Sequence, residues 1–168
     1  LGRIAGPMAL MVAAQTVGTV LFAHFLVFWP MGRNFEAAAT AGGVIGFGLQ
    51  WLLGDRSTLP FALWPLGPEG FGFKPWQLVT YSFLHGSFVH LFFNMFALYM
   101  FGPEIERLLG RNRFITYWLV CVVSAALLQL WVQQASSGPG APTVGASGGI
   151  FGLLLAFGMA YPKRKLML

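Results

Sequence analysis

Residues 145–161 read Gly145-Ala146-Ser147-Gly148-Gly149 followed by IFGLLLAFGMAY. One serine stands between glycines at the head of an apolar stretch, and Pro162 and the cations Lys163, Arg164 and Lys165 follow it. An apolar run closed by cations is what a membrane helix with a cytoplasmic end looks like. The spacing predicts a helix over 147–161. It is entered through a loop at 133–144, where Gln133, Gln134, Ser136, Ser137, Gly138, Pro139, Gly140 and Pro142 interrupt regular structure.

Composition supports the bilayer as solvent. The 168 residues allow one compact domain. Hydrophobic residues are 57% and charged residues 9%, too few charges to cover a water-soluble surface. Aromatics at 16% suit interfacial belts as well as packing. The net charge of +5 does not point to nucleic acid, because the cations lie in short loops rather than on a basic face. Cys121, the single cysteine, rules out an intrachain disulfide or a cysteine metal cluster and reads as inert packing. With Leu1 rather than methionine at its start and an end soon after a basic triplet, the sequence is expected to be a fragment of a longer protein.

Working outward, residues 7–29 are apolar apart from Gln15 and His24 and are long enough to span. A signal peptide is the competing reading, with 37–41 resembling a cleavage site, but the apolar run exceeds the ~7–15 residues of a signal core. A membrane helix is therefore expected. Residues 36–54 form a second segment whose Ala and Gly allow close helix approach in lipid. Residues 55–86 hold Pro60, Pro65, Pro68 and Pro75, with Phe61, Trp64, Phe71, Phe73 and Trp76 among them, and read as a loop lying in the interface. Helices are expected at 88–104, ended by Gly102-Pro103, and at 114–132. The predicted fold class is an all-α, polytopic transmembrane bundle.

Two basic clusters fix the orientation. Arg107, Arg111 and Arg113 put the 105–113 turn in the cytoplasm, and Lys163-Arg164-Lys165 puts the end of 147–161 there too. His90, Asn94 and Ser147 then all lie toward the outer leaflet. The helices that carry them read as only about 15–17 residues, short of the ~20 that a span needs, so their polar heads are expected in a water-filled dip.

The chemistry rests on few groups. A serine hydroxyl needs a base to become a good nucleophile, and free N–H groups at a helix start can hold an oxyanion. The bland alternative for Ser147 is an N-cap in a packing seam, since Gly148 and Gly152 also form a G-x-x-x-G pair. The pentapeptide matches the G-x-S-x-G elbow of α/β-hydrolases, but that motif needs a preceding strand. His90 and Asn94 at i and i+4 share a helix face and can donate to an oxyanion or simply bond a neighbouring helix. His85 is expected to bond loop backbone, His24 to stand apart from the site, and Glu106 with Gly110 to organise the cytoplasmic turn. Three histidines without matching Asp or Glu spacing give no metal site, and no cofactor is called for.

The stretch from Trp76 to Phe101, with Thr80, Phe83, His85, Gly86, His90, Asn94 and Met95, resembles the first-loop and second-helix region of rhomboid intramembrane serine proteases. Glu106 and Gly110 resemble that family's E-x-x-x-G turn, and Gly145-Ala146-Ser147-Gly148 its nucleophile motif. The likeness runs from about Leu59 to Tyr161. It implies a six-helix fold, a serine endopeptidase acting on transmembrane protein substrates, and a bacterial inner (plasma) membrane with the site toward the extracytoplasmic side. By that resemblance Ser147 is the nucleophile, His90, Asn94 and the Ser147 N–H build the oxyanion hole, and Gly145 shapes the site. Residues 1–35 would be an extra N-terminal element and 36–168 a partial rhomboid-like domain, truncated after the fourth core helix. Two departures stand out. Trp76 is followed by Gln77 where the family often has Arg. The general-base histidine of the family's sixth helix is absent, since residues 148–168 contain no histidine. A non-catalytic rhomboid-like binder of membrane clients is the alternative function, and a transporter or channel fragment a third.

Overall fold

A computed structural model describes residues 35–54, 58–67, 70–136 and 140–164. The expected helix at 7–29, His24, Lys165 and nearly all of the extra N-terminal element lie outside the described residues. Five α-helices occur among those described: α1 Phe35–Leu53, α2 Gln77–Thr80, α3 Phe88–Leu109, α4 Arg111–Ala135 and α5 Ser147–Ala160. This is the all-helical bundle that the sequence predicts. α3 and α4 are each long and apolar enough to cross a membrane. Large apolar side chains point outward along the helices, among them Trp51, Tyr99, Trp131 and Phe151, as a lipid solvent requires.

Two boundaries differ from the reading. α3 does not end at Gly102-Pro103 but runs on to Leu109, with Pro103 inside it. A proline deletes one hydrogen bond, while Phe101, Gly102, Ile105 and Glu106 are all buried here. Packing outweighs the lost bond. α3 is therefore 22 residues, not the short helix expected, and of the two helices that carry the candidate site residues α5, at 14 residues, is the one that falls short of a full span. α4 likewise begins at Arg111 and ends at Ala135, beyond the apolar core of 114–132. Gly110 makes the turn between them at φ 78°, and its N–H donates to the Glu106 carbonyl at 2.8 Å. Glu106 and Gly110 thus organise this turn as expected.

Small residues set the helix contacts. Gly43 of α1 lies against Met95 and Leu91 of α3, and Gly46 against the Phe83 carbonyl. On the other side Gly148 and Gly149 of α5 lie against Ala125 and Trp118 of α4. Gly152 takes the Tyr117 hydroxyl on its carbonyl at 2.6 Å. A side chain at any of these glycines meets atoms already in place. Leu98, Ile105, Phe114, Val122 and Leu153 fill the core between α3, α4 and α5.

Candidate active site

The loop before α3 holds its shape through one side chain that sequence reasoning passed over. Gln77 is fully buried. Its Oε1 accepts from the N–H groups of Trp64 and Lys74, and its Nε2 donates to the carbonyls of Pro60 and Gly72. The signal available in the sequence was its place beside Trp76, where the departure from Trp-Arg was noted. Trp64 Nε1 adds a bond to the Leu59 carbonyl, and the Thr80 hydroxyl one to Phe61, each 2.7 Å.

This loop in turn holds the segment that leads into α5. Leu63 and Thr143 exchange two backbone hydrogen bonds, of 3.0 and 2.9 Å, as an isolated antiparallel bridge. Two residues on, the Gly145 N–H donates to the Tyr81 carbonyl at 2.9 Å. Tyr81 is itself pinned by its hydroxyl, which donates to the Val122 carbonyl of α4 at 2.9 Å. The backbone arriving at Ser147 is thus tied to the loop and to α4.

Ser147 opens α5, and Ala146 rather than Ser147 holds the N-cap position. The first helical bond runs from the Ile150 N–H to the Ala146 carbonyl. The N-cap reading of the serine therefore falls, because its hydroxyl has no capping task. The N–H groups of Ser147, Gly148 and Gly149 lie in the first turn, where a helix has no internal acceptors for them.

His90 begins the second line of the site. Ser87 caps α3 through its hydroxyl, which accepts from the His90 N–H at 3.1 Å. The His90 imidazole then lies directly on Gly145. A Cβ placed on that glycine would come 2.6 Å from His90 Cε1 and 2.7 Å from Nε2. Gly145 also has φ 126°, a conformation that side chains disfavour. The glycine is needed twice, for its backbone and for the ring above it. Gly145→Val is expected to cost about 2–5 kcal/mol from strain and overpacking together, read as a lowered denaturation midpoint.

Asn94 stands one turn further along α3 and is buried. Its Nδ2 has no hydrogen-bond partner. Buried amide donors are nearly always paired, so this one has its capacity open to water or to a ligand. His90 and Gly145 are in contact, and Asn94 shares the His90 face.

His85 is fully buried, edge-on to His90 with ring centroids 5.2 Å apart. Neither of its ring nitrogens makes a hydrogen bond of normal geometry. Its backbone N–H reaches Gln50 Oε1 of α1 at 3.3 Å. Burial, and then the nearby His90 charge, push the His85 ring down to about 4, while the Phe83 backbone pulls weakly the other way. The unfolded chain, with an ordinary value of 6.5, takes up this proton earlier than the folded one. The contribution of His85 to stability is therefore full above 6.5 and is lost as pH falls toward about 4. Thermal melts across that window should show the slope in the native protein and a flatter one in His85→Asn.

The family model of the Rhomboid domain matches residues 72–168. The chain belongs to the rhomboid family. Rhomboid protease GlpG of Klebsiella pneumoniae is 32% identical over 130 residues, 76% of this chain and 45% of that protein. Rhomboid protease GlpG of Salmonella newport is 35% identical over 88 residues, 52% of this chain and 30% of that protein. Rhomboid protein 1, mitochondrial, of Saccharomyces cerevisiae is 33% identical over 93 residues, 55% of this chain and 27% of that protein. The chain thus spans less than half the length of these rhomboid relatives. A second family model, Sodium/glutamate symporter, matches residues 1–51, a minor part of the chain that leaves Ser147, His90 and Asn94 outside it. The rhomboid match covers Gln77, His85, His90, Asn94, Gly110, Gly145 and Ser147.

Proposed function

We propose that the full-length protein is an intramembrane serine endopeptidase that cuts transmembrane segments of other membrane proteins. The observation that carries this reading is the His90 ring resting on Gly145, two residues before Ser147. In this reading the Ser147 hydroxyl attacks the scissile carbonyl and gives up its proton to a base. The tetrahedral oxyanion takes hydrogen bonds from the Ser147 N–H, Asn94 Nδ2 and His90. The carbon–nitrogen bond then breaks as the proton passes to the leaving amine, and water releases the acyl group from Ser147. The reading requires a proton acceptor at Ser147, and residues 148–168 hold no histidine to serve as one.

Helix length supports a site below the membrane surface. The 14 residues of α5 rise about 21 Å, against a hydrocarbon core of about 30 Å. With Lys163 and Arg164 anchoring its far end at the cytoplasmic face, Ser147 lies about 9 Å inside the opposite, extracytoplasmic face. Water must reach it there, and the idle Asn94 amide is the polar group to receive it. A bacterial inner membrane is the setting this reading implies.

Labelling of the full-length protein with a serine-reactive fluorophosphonate tests the reading. Signal is expected from the native protein and none from Ser147→Ala. If the native protein takes no label, the non-catalytic client binder is the better account.

A further inference from the structure

At the far end of α4 from Ser147, a groove of about 510 Å³ is lined by Leu109, Asn112, Arg113, Thr116, Tyr117 and Val120. Its chemistry is graded along the helix. Asn112 and Arg113 are exposed at one end, and Val120 is exposed at the other. From Asn112 to Val120 the helix rises about 12 Å. Between them the polar atoms are already used. The Thr116 hydroxyl donates to the Asn112 carbonyl at 3.0 Å, and the Tyr117 hydroxyl to Gly152. The middle of the groove therefore offers methyl and ring surface rather than polar groups.

The mouth of the groove carries a cation. Glu104 is engaged by Arg164 at 3.4 Å, and Glu106 is buried. No ion pair holds Arg113 among the described residues, and Arg107 and Arg111 add positive charge to the same turn. Beyond Val120 and as far as Trp131, the large side chains that α4 turns outward are apolar, with Leu127, Leu128 and Trp131 exposed, while the small Ser124 is exposed among them.

A cation and an amide at the mouth of a slot that becomes hydrocarbon within about 12 Å fit one ligand chemistry. We propose that this groove binds an anionic phospholipid, with its phosphate on Arg113 and the Asn112 amide and one acyl chain over Thr116 and Val120. Basic pockets beside transmembrane helices on the cytoplasmic side select such lipids, and a guanidinium pairs a phosphate through two hydrogen bonds. The site is remote from Ser147 and stands whether or not the protein is a peptidase.

Native mass spectrometry of the full-length protein in neutral detergent tests this, comparing phosphatidylglycerol with phosphatidylcholine of the same chains. Phosphatidylglycerol should bind about tenfold tighter or more, and Arg113→Gln should remove most of that preference. Arg113→Lys should keep part of it, and Lys163→Gln, outside the groove, should keep all of it. Equal binding of the two lipids, or of neither, overturns the proposal, since the first means unselective lipid and the second a groove covered by protein. An undiminished preference in Arg113→Gln overturns it too. So does inorganic phosphate competing as well as the lipid, which would make this a free-anion site.

Discussion

Asn94→Ala is expected to lower kcat of the full-length protein on a transmembrane substrate by about 10²–10³-fold, which corresponds to about 2.7–4 kcal/mol of transition-state stabilisation. KM should change little, because the oxyanion exists only in the transition state. The same substitution should leave stability within about 1 kcal/mol of the native protein. That second expectation follows from the idle donor. Asn94 is buried and its Nδ2 bonds no protein group, so its loss forfeits no hydrogen bond from Nδ2 to the rest of the chain. A structural asparagine behaves in the opposite way, with a large fall in stability and activity lost in proportion. Parallel kinetics and thermal melts separate the two. A destabilised variant with normal kcat per folded molecule would remove Asn94 from the oxyanion hole.

Gln77→Ala should be strongly damaging to stability. It strips partners from the N–H groups of Trp64 and Lys74 and from the carbonyls of Pro60 and Gly72 at once. At about 1 kcal/mol for each net bond, and more where water cannot replace it, the loss is about 3–5 kcal/mol. The effect should spread, since the same loop supplies Leu63 to Thr143 and the Tyr81 carbonyl to Gly145. Fluorophosphonate labelling of Ser147 should therefore fall with the fraction of loop that is folded. Gln77→Glu keeps the two accepting contacts and loses the donating ones. Gln77→Arg keeps donation and loses acceptance. Each also brings a charge into a site with no exposure to water, so both should unfold at least as early as Ala in a chemical denaturation series. Equal midpoints for all four proteins would show that the loop does not depend on this side chain.

The membrane helices were legible because hydropathy reports what lies at lipid depth. It reports helix ends poorly. Arg111, Asn112 and Arg113 are polar but continue α4 without difficulty, since helical hydrogen bonds do not require apolar side chains. Pro103 looked like a stop. It is not one, because the residues around it are buried against the rest of the bundle and hydropathy carries no record of partners. The His85 ring was legible as a loop residue and not as one buried edge-on to His90. The placement of Gln77 was not legible either, since a glutamine among prolines reads as a solvated loop residue until its four partners converge on it.

By itself the sequence determined the solvent, the helical class and the residue types able to do acyl-transfer chemistry, because composition, charge position and motif spacing are local properties. Only the tertiary structure decided that the His90 ring covers Gly145, that Ala146 takes the capping place beside Ser147, and that the Asn94 amide is left unspent. Those facts depend on contacts across tens of residues, where packing, and not the order of side chains along the chain, selects which groups meet.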